Sequence, residues 1–257
     1  SPFGKALMGA KEGDEISVYA WTGSPTVAAE TPERVVNNAI NKLTNSSWVS
    51  TPQMLWKNNR DKHYFIGVYP VAAVSNLNAG EYSFDVANQE ESDLLVAVNV
   101  DGLTYSADKR QVVPLNFTHV MAKLVVNLTY KNQWGADGPT VEKVVVGDAA
   151  KEATVNYLTK TVSPSTDAGK KADFDLPVVT ANKRYASVII PQDGVKKLTI
   201  VIDGKSFVYD NGTPFKFEGG KITTVNLEVG RDVIRLGDVT ISDWISIGDP
   251  ITGEAYD

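Results

Sequence analysis

Chemistry needs side chains that can donate, accept or attack, and this chain holds few of the usual ones. Two histidines, His63 and His119, are its only imidazoles, and it has no cysteine. The lack of cysteine removes disulfides, thiolate metal sites and a cysteine nucleophile together. Neither histidine falls in an HxH or HExxH spacing, which would set two ligands on one side of a metal. No Gly-x-Ser-x-Gly elbow, phosphate-binding loop or dinucleotide fingerprint is present. Two of the 31 acidic residues could meet in space as a glycosidase pair. No spacing marks such a pair. Asp14, Asp148, Asp203 and Asp243 stand where strand ends or turns are expected, positions at which Asp bonds local backbone. The sequence therefore assigns no catalytic residue, no metal ligand and no cofactor site.

Aromatic stacking is the chemistry that remains, because an exposed indole can lie against a sugar. Of five tryptophans, Trp21, Trp48, Trp56 and Trp244 lie within or beside apolar strand runs and are expected to fill core or edge positions. Trp134 sits in a Gly-rich loop. It is the candidate for a ligand-binding aromatic, against the commoner role of plugging a junction between domains. Net charge is −6 with pI ≈ 5.1. The charges are dispersed, without the basic stripe that nucleic acid requires. No apolar run reaches the ~20 residues of a membrane span, and no signal peptide is visible. The chain begins at Ser1, so an upstream segment is expected to have been removed. The absence of disulfides suits a bacterial surface protein.

The elements that must position these residues are strands. DEISVYAW (14–21), HYFIGVYP (63–70), DLLVAVNV (93–100), EKVVVGD (142–148), YASVIIP (185–191), KLTIVID (197–203) and ITTVNLEV (222–229) are short and rich in β-branched and aromatic residues. Asp101-Gly102, Asp193-Gly194, Asp203-Gly204, Asn211-Gly212 and Gly219-Gly220 supply turn chemistry between them. This spacing predicts an antiparallel sandwich. One segment reads differently: in 31–43, Val35, Val36, Ala39, Ile40 and Leu43 form a helical stripe behind Thr31 and Pro32. The polar stretch KNQWGADGPT (131–140) predicts a boundary between two halves, residues 1–131 and 132–257.

The run LNFTHVMAKLVVNLTY (115–130) poses a puzzle of its own. Its apolar residues change parity, with Leu115 and Phe117 on odd positions and Val120, Ala122, Leu124, Val126 and Leu128 on even ones. A regular strand cannot send both sets inward. Either a bulge near Thr118-His119 resets the register, or the run serves two packing environments.

Several of these segments resemble the fimbrillin-like family, which comprises type V pilins and related surface lipoproteins of anaerobic Gram-negative bacteria. EGDEISVYAW (12–21) is similar to that family's early strand. SSWVSTPQMLWKNNRDKHYFIGVYP (46–70) resembles its two spaced tryptophans followed by an aromatic strand ending in Tyr-Pro. LNFTHVMAKLVVNLTY resembles its Phe-x-His strand, and GDVTISDWISIG (237–248) its near-terminal Ile-x-Asp-Trp. The resemblance implies two tandem transthyretin-like antiparallel β-sandwich domains, with 36–44 extended and not helical. It implies a lipid anchor upstream of Ser1, a surface location on a fimbria or outer membrane, and assembly with other pilus subunits by strand exchange. His119 is then expected to be a structural residue bonded to backbone, with Leu124 and Val126 in the first domain's core.

In such an assembly a C-terminal strand completes the neighbouring subunit. VTISDWISI (239–247) fits that part, with Val239, Ile241, Ile245 and Ile247 on one face, Asp243 interrupting it, and Trp244 opposite. These five apolar residues are the donor-strand candidates. Two other functions stay open: a surface glycan-binding lipoprotein using Trp134 on a host glycan or protein, and an enzyme on a β scaffold, which no motif supports.

Overall fold

In a computed structural model of the protein, residues 10–108 and 112–244 are described, and they are almost entirely β-structure. The first strand, β1 (Glu15–Thr22), is apolar on both parities. Ile16, Val18 and Ala20 belong to one apolar cluster, Tyr19 and Trp21 to another. The sheet it enters must therefore be covered twice. That sheet contains β2 (Val36–Thr44), β3 (Ser47–Thr51) and β4 (His63–Tyr69), then, beyond β5 (Gly80–Ser83), β6 (Leu95–Leu103) and β7 (Thr118–His119). Its order is β3-β2-β1-β4-β6-β7, antiparallel throughout.

The helical stripe in 31–43 is a strand signal in disguise. Only Thr31–Glu33 turn, as one 3-10 turn, and β2 follows. Val36 lies opposite Ala20 and Ala39 opposite Val18, so β2 spends three residues where β1 spends two. The extra residue is absorbed in a bulge at which Asn38 takes φ 54°. A bulge turns the strand's spacing of two into a helix-like spacing of three, which is why the pattern misleads.

The outer face of this sheet carries a row of small residues across four strands: Ala39, Val18, Gly67 and Ala97. Into that trough runs the segment 112–117, which has no strand partner among the described residues. Val113, Leu115 and Phe117 point inward and are buried, while Val112, Pro114 and Asn116 are exposed. The fit requires Gly67, because a Cβ there would lie 2.7 Å from the Phe117 ring and 3.2 Å from Leu115.

The parity change in 115–130 now has its cause, which is two packing environments in succession. Odd residues face the first sheet, and β7 pairs with β6 through His119 and Leu95. After Val120-Met121 the chain enters β8 (Ala122–Tyr130), whose even residues face a different core.

The remaining strands are β9 (Val141–Ala150), β10 (Glu152–Asn156), β11 (Thr161–Pro164), β12 (Lys171–Asp175), β13 (Val178–Thr180), β14 (Arg184–Ile189), β15 (Lys197–Ile202), β16 (Lys205–Asp210), β17 (Lys221–Val229) and β18 (Ile234–Asp243). Together with β8, all of these but β10 and β11 form two further sheets, β13-β14-β8-β17-β18 and β12-β9-β15-β16. Leu124, Val126, Val225 and Leu227 of one and Val144, Val146, Leu198 and Ile200 of the other share a core. The pair β8–β17 is parallel; every other pairing among the described residues is antiparallel. Asp203-Gly204 makes the two-residue β15–β16 hairpin, with φ of 51° and 72°.

Strand pairing changes at Val120-Met121, not at the expected division of 131/132. β8 precedes that division but pairs with β14 and β17 beyond it. Leu124 and Val126 are core residues, each 0% exposed, but of the sandwich built from the C-terminal half. The halves are also stitched together by a three-stranded sheet, β11-β10-β5, which takes one strand from the first half and two from the second. A short helix, α1 (Gln89–Ser92), adds to the joint: Gln89 Nε2 donates to Ser187 Oγ at 2.8 Å, and its Oε1 accepts the Val188 N–H at 2.9 Å. The fold is all-β, in tandem sandwiches.

Candidate assembly site at the C-terminal strand

β18 is the edge of its sheet and pairs with β17 alone. Val239 lies opposite Val225, and Ile241 opposite Thr223. Residues opposite one another share a face, so Val239 and Ile241 point to the core side, where Val225 and Thr223 are 0% exposed. Yet Val239 and Ile241 are themselves 38% and 44% exposed. Val239 and Ile241 thus form a half-open apolar patch beside a row of backbone groups at a sheet edge.

Trp244 has the other parity and a different environment. It is buried, and its backbone N–H donates to the Gly220 carbonyl at 2.9 Å. Its indole stacks on the His119 imidazole, with ring centroids 3.7 Å apart and planes 9° from parallel. The Lys123 ammonium lies 5.8 Å from the same indole. His119 has a carboxylate partner that the sequence reading did not name. Its Nδ1–H donates to Asp93 Oδ1 at 2.8 Å, inside the protein. No pattern relates residue 93 to residue 119, so that partner was illegible in sequence.

The cluster sits where the chain crosses between sheets. A Cβ on Gly219 would fall 2.7 Å from the Val120 carbonyl oxygen, and one on Gly220, at φ 73°, would fall 3.2 Å from that of His119. Gly219-Gly220 therefore serves close approach of two backbones. Trp244 closes that joint, so the donor candidates divide into exposed Val239 and Ile241 and a buried Trp244. Ile245 and Ile247 lie outside the described residues.

Trp134 lies at the end of β17, half-buried. Its Nε1–H donates to the Val229 carbonyl at 3.0 Å, its ring meets Phe207 edge-on at 6.5 Å, and the Arg231 guanidinium lies 5.9 Å from it. His63 is bonded through both nitrogens: Nε2 accepts the Lys57 N–H and Nδ1–H donates to the Asp61 carbonyl, each at 3.0 Å. Among the described residues no three His, Asp or Glu side chains are grouped as a metal site. A recess of ≈ 620 Å³ is lined by 26–32 with Ser75, Asn76, Asn78 and Asn156. Its amides already serve the protein: Asn78 bonds the Ala28 backbone in both directions, and Asn156 accepts from Leu158 and Thr159.

Tandem antiparallel sandwiches with a half-open edge strand define an all-β class. Within that class, a family model described as fimbrillin-like matches residues 7–244, and the chain belongs to the fimbrillin-like family. No curated protein sequence matches it. Similar solved structures include a cell-adhesion candidate from Bacteroides ovatus, with TM-score 0.70, 16% identity, and 94% of this chain and 91% of that one covered. A second such candidate, from Bacteroides uniformis, gives 0.69, 16%, 91% and 93%. The C-terminally truncated tip fimbrial protein Mfa3 from Porphyromonas gingivalis gives 0.54, 10%, 91% and 95%. At these identities the likeness is one of fold.

Proposed function

We propose that the protein is a structural or adhesive subunit of a bacterial surface fimbria that assembles by exchanging strands with its neighbours. The observation that carries this reading is the half-open apolar face of β18 at a sheet edge, in a chain of fimbrillin-like family. A strand moving into a neighbour's groove satisfies the backbone groups on both sides and buries its alternate side chains there. Val239 and Ile241 are the side chains to be buried in that exchange, and leaving home uncovers little, because they are half-exposed already. The subunit's place is then the cell surface, and its partners are other subunits.

Truncation after Arg235 tests the reading, with assembly followed by electron microscopy and size exclusion. The expected truncated protein stays folded, no longer polymerises, and still accepts a strand from full-length subunits. A truncated protein that polymerises normally removes the donor role, as does one that cannot fold. The alternative, glycan binding through Trp134, requires glycan-array binding that is lost in Trp134→Ala.

A further inference from the structure

A second surface lies at the other pole of the first sheet. β4 begins at His63, opposite Thr22 of β1 and Leu103 of β6, whereas Tyr69, Leu95 and His119 mark the end that meets the second sandwich. At the free end the strap 52–56 crosses the outer face and leaves an apolar recess of ≈ 50 Å³ between Val35, Val36, Met54, Trp56, Phe65 and Val113. On the other side of Met54 it adjoins a second recess of ≈ 170 Å³ floored by Ala39. Trp56 is held upright as one wall, edge-on to His63 at 4.9 Å and tilted against Tyr105 at 5.9 Å. The rim is apolar and open: Leu55 is 67% exposed and Tyr105 40%.

Size argues against a free small molecule. Sites for cofactors and metabolites run to roughly 300–1,000 Å³, well above either recess, whereas one or two protruding side chains would fill them. The apolar lining likewise disfavours a sugar, whose hydroxyls need polar partners.

Charge selects among peptides. The loop that carries Trp56 into His63 presents Lys57, Arg60 and Lys62, all exposed, and none makes an ion pair among the described residues. The loop's carboxylate, Asp61, is taken by the Asn58 amide at 2.7 Å. Exposed Asp101, on the adjoining strand, pairs with none of the three cations. A cationic loop thus adjoins an apolar slot, on a molecule of net charge −6. We infer that this pole is a docking site for an extended segment of a partner protein, a segment presenting one or two branched aliphatic side chains flanked by carboxylates. The aliphatic groups enter beside Trp56 and Met54, and the flanking carboxylates meet Lys57, Arg60 and Lys62. The inference stands whether or not β18 is exchanged, since it uses neither that strand nor the joint.

The test is fluorescence anisotropy on the full chain with labelled hexapeptides. One has two leucines flanked by carboxylates on both sides; the controls replace leucine by serine or the carboxylates by lysine. The expected result is binding of the acidic leucine peptide alone. Raising salt from roughly 0.05 to 0.5 M should weaken that binding, as charge screening requires. Lys57→Glu combined with Lys62→Glu, on an exposed loop, should weaken it about tenfold or more, and Leu55→Asp should weaken it without altering the circular dichroism spectrum. Equal binding of the serine peptide overturns the apolar slot. Equal binding of the lysine peptide, or salt-independent binding, overturns the part assigned to the cationic loop. Failure of the acidic leucine peptide to bind at millimolar concentration, or its full displacement by a sulfated oligosaccharide with no need for leucine, overturns the proposal altogether.

Discussion

Gly67 shows how one missing side chain organises a face of this protein. Its row across the first sheet is Ala39, Val18, Gly67 and Ala97, and the Phe117 ring occupies the space a methyl would need. Gly67→Ala is therefore expected to destabilise the fold by about 1–3 kcal/mol, the usual effect of overpacking a filled core. Phe117→Leu in the same chain should recover part of that loss, and a double-mutant cycle from denaturant unfolding would measure the coupling. Additive effects of the two changes would mean that the ring does not sit on Gly67. Single residues were the least legible scale in sequence. The glycine could be seen, but not what fills its place; His119 could be seen, but neither its carboxylate partner nor the indole stacked on it. Contacts between residues far apart in the chain leave no local pattern.

Strands were far more legible, because their signal is local. β1, β4, β9, β14, β15 and β17 fall within a few residues of the runs that announce them, since alternating apolar and β-branched residues reflect the two faces of a pleated sheet. Failure came where the period was interrupted. In β2 a bulge at Asn38 spaced Val36 and Ala39 like a helix. In β6, Asp101-Gly102 lies inside the strand and not in a hairpin. The parity change in 115–130 announced a transition correctly, but only the pairing with β14 and β17 tells which sandwich β8 completes. That assignment is testable. Leu124→Ala should cost about 2–5 kcal/mol, from lost transfer energy and a residual cavity. Hydrogen exchange in the variant should rise first in β14 and β17, its direct neighbours. If β1 and β4 are the first to lose protection, the strand's energetic allegiance is to the other sheet.

At the scale of the whole molecule, the joint between the halves decides behaviour, and two tyrosines make it sensitive to alkali. Tyr157 follows β10 and packs its ring where a Cβ of Gly80 would be. Burial, helped by the nearby Tyr19, pushes its phenol up to about 12. Tyr82 of β5, donating to the Ser92 carbonyl at 2.7 Å, is raised as well, chiefly by burial. A phenol raised above its ordinary value of about 10 favours the folded state while it is protonated. That contribution is complete below about pH 10 and is lost as pH climbs through about 12. Stability should accordingly fall over that window, with Tyr157→Phe less affected than the parent chain. A parent and variant with identical alkaline profiles would place the sensitivity elsewhere.

The same joint sets how the molecule unfolds. One apolar cluster contains Tyr19, Trp21 and Ile66 of the first sheet, Val155 of the three-stranded sheet, and Val126, Val225 and Ile200 of the second sandwich. Neither half can open without exposing part of the other's core, so denaturant should unfold the chain in a single transition. Trp21 reports on the first half and Trp134 on the far end of the second. Single-tryptophan versions retaining one or the other should give the same midpoint. Thr154→Pro sharpens the test. Thr154 sits in the central strand of the joining sheet, opposite Ser163 on one side and Glu81 on the other. Proline there removes a backbone donor and strains both pairings. Because the core is shared, the midpoint should drop for both reporters together. Two separate midpoints in the parent chain would show that the sandwiches fold independently. A proline variant in which only Trp134 shifts would show that the joining sheet belongs energetically to the second half, and that the first sheet stands without it.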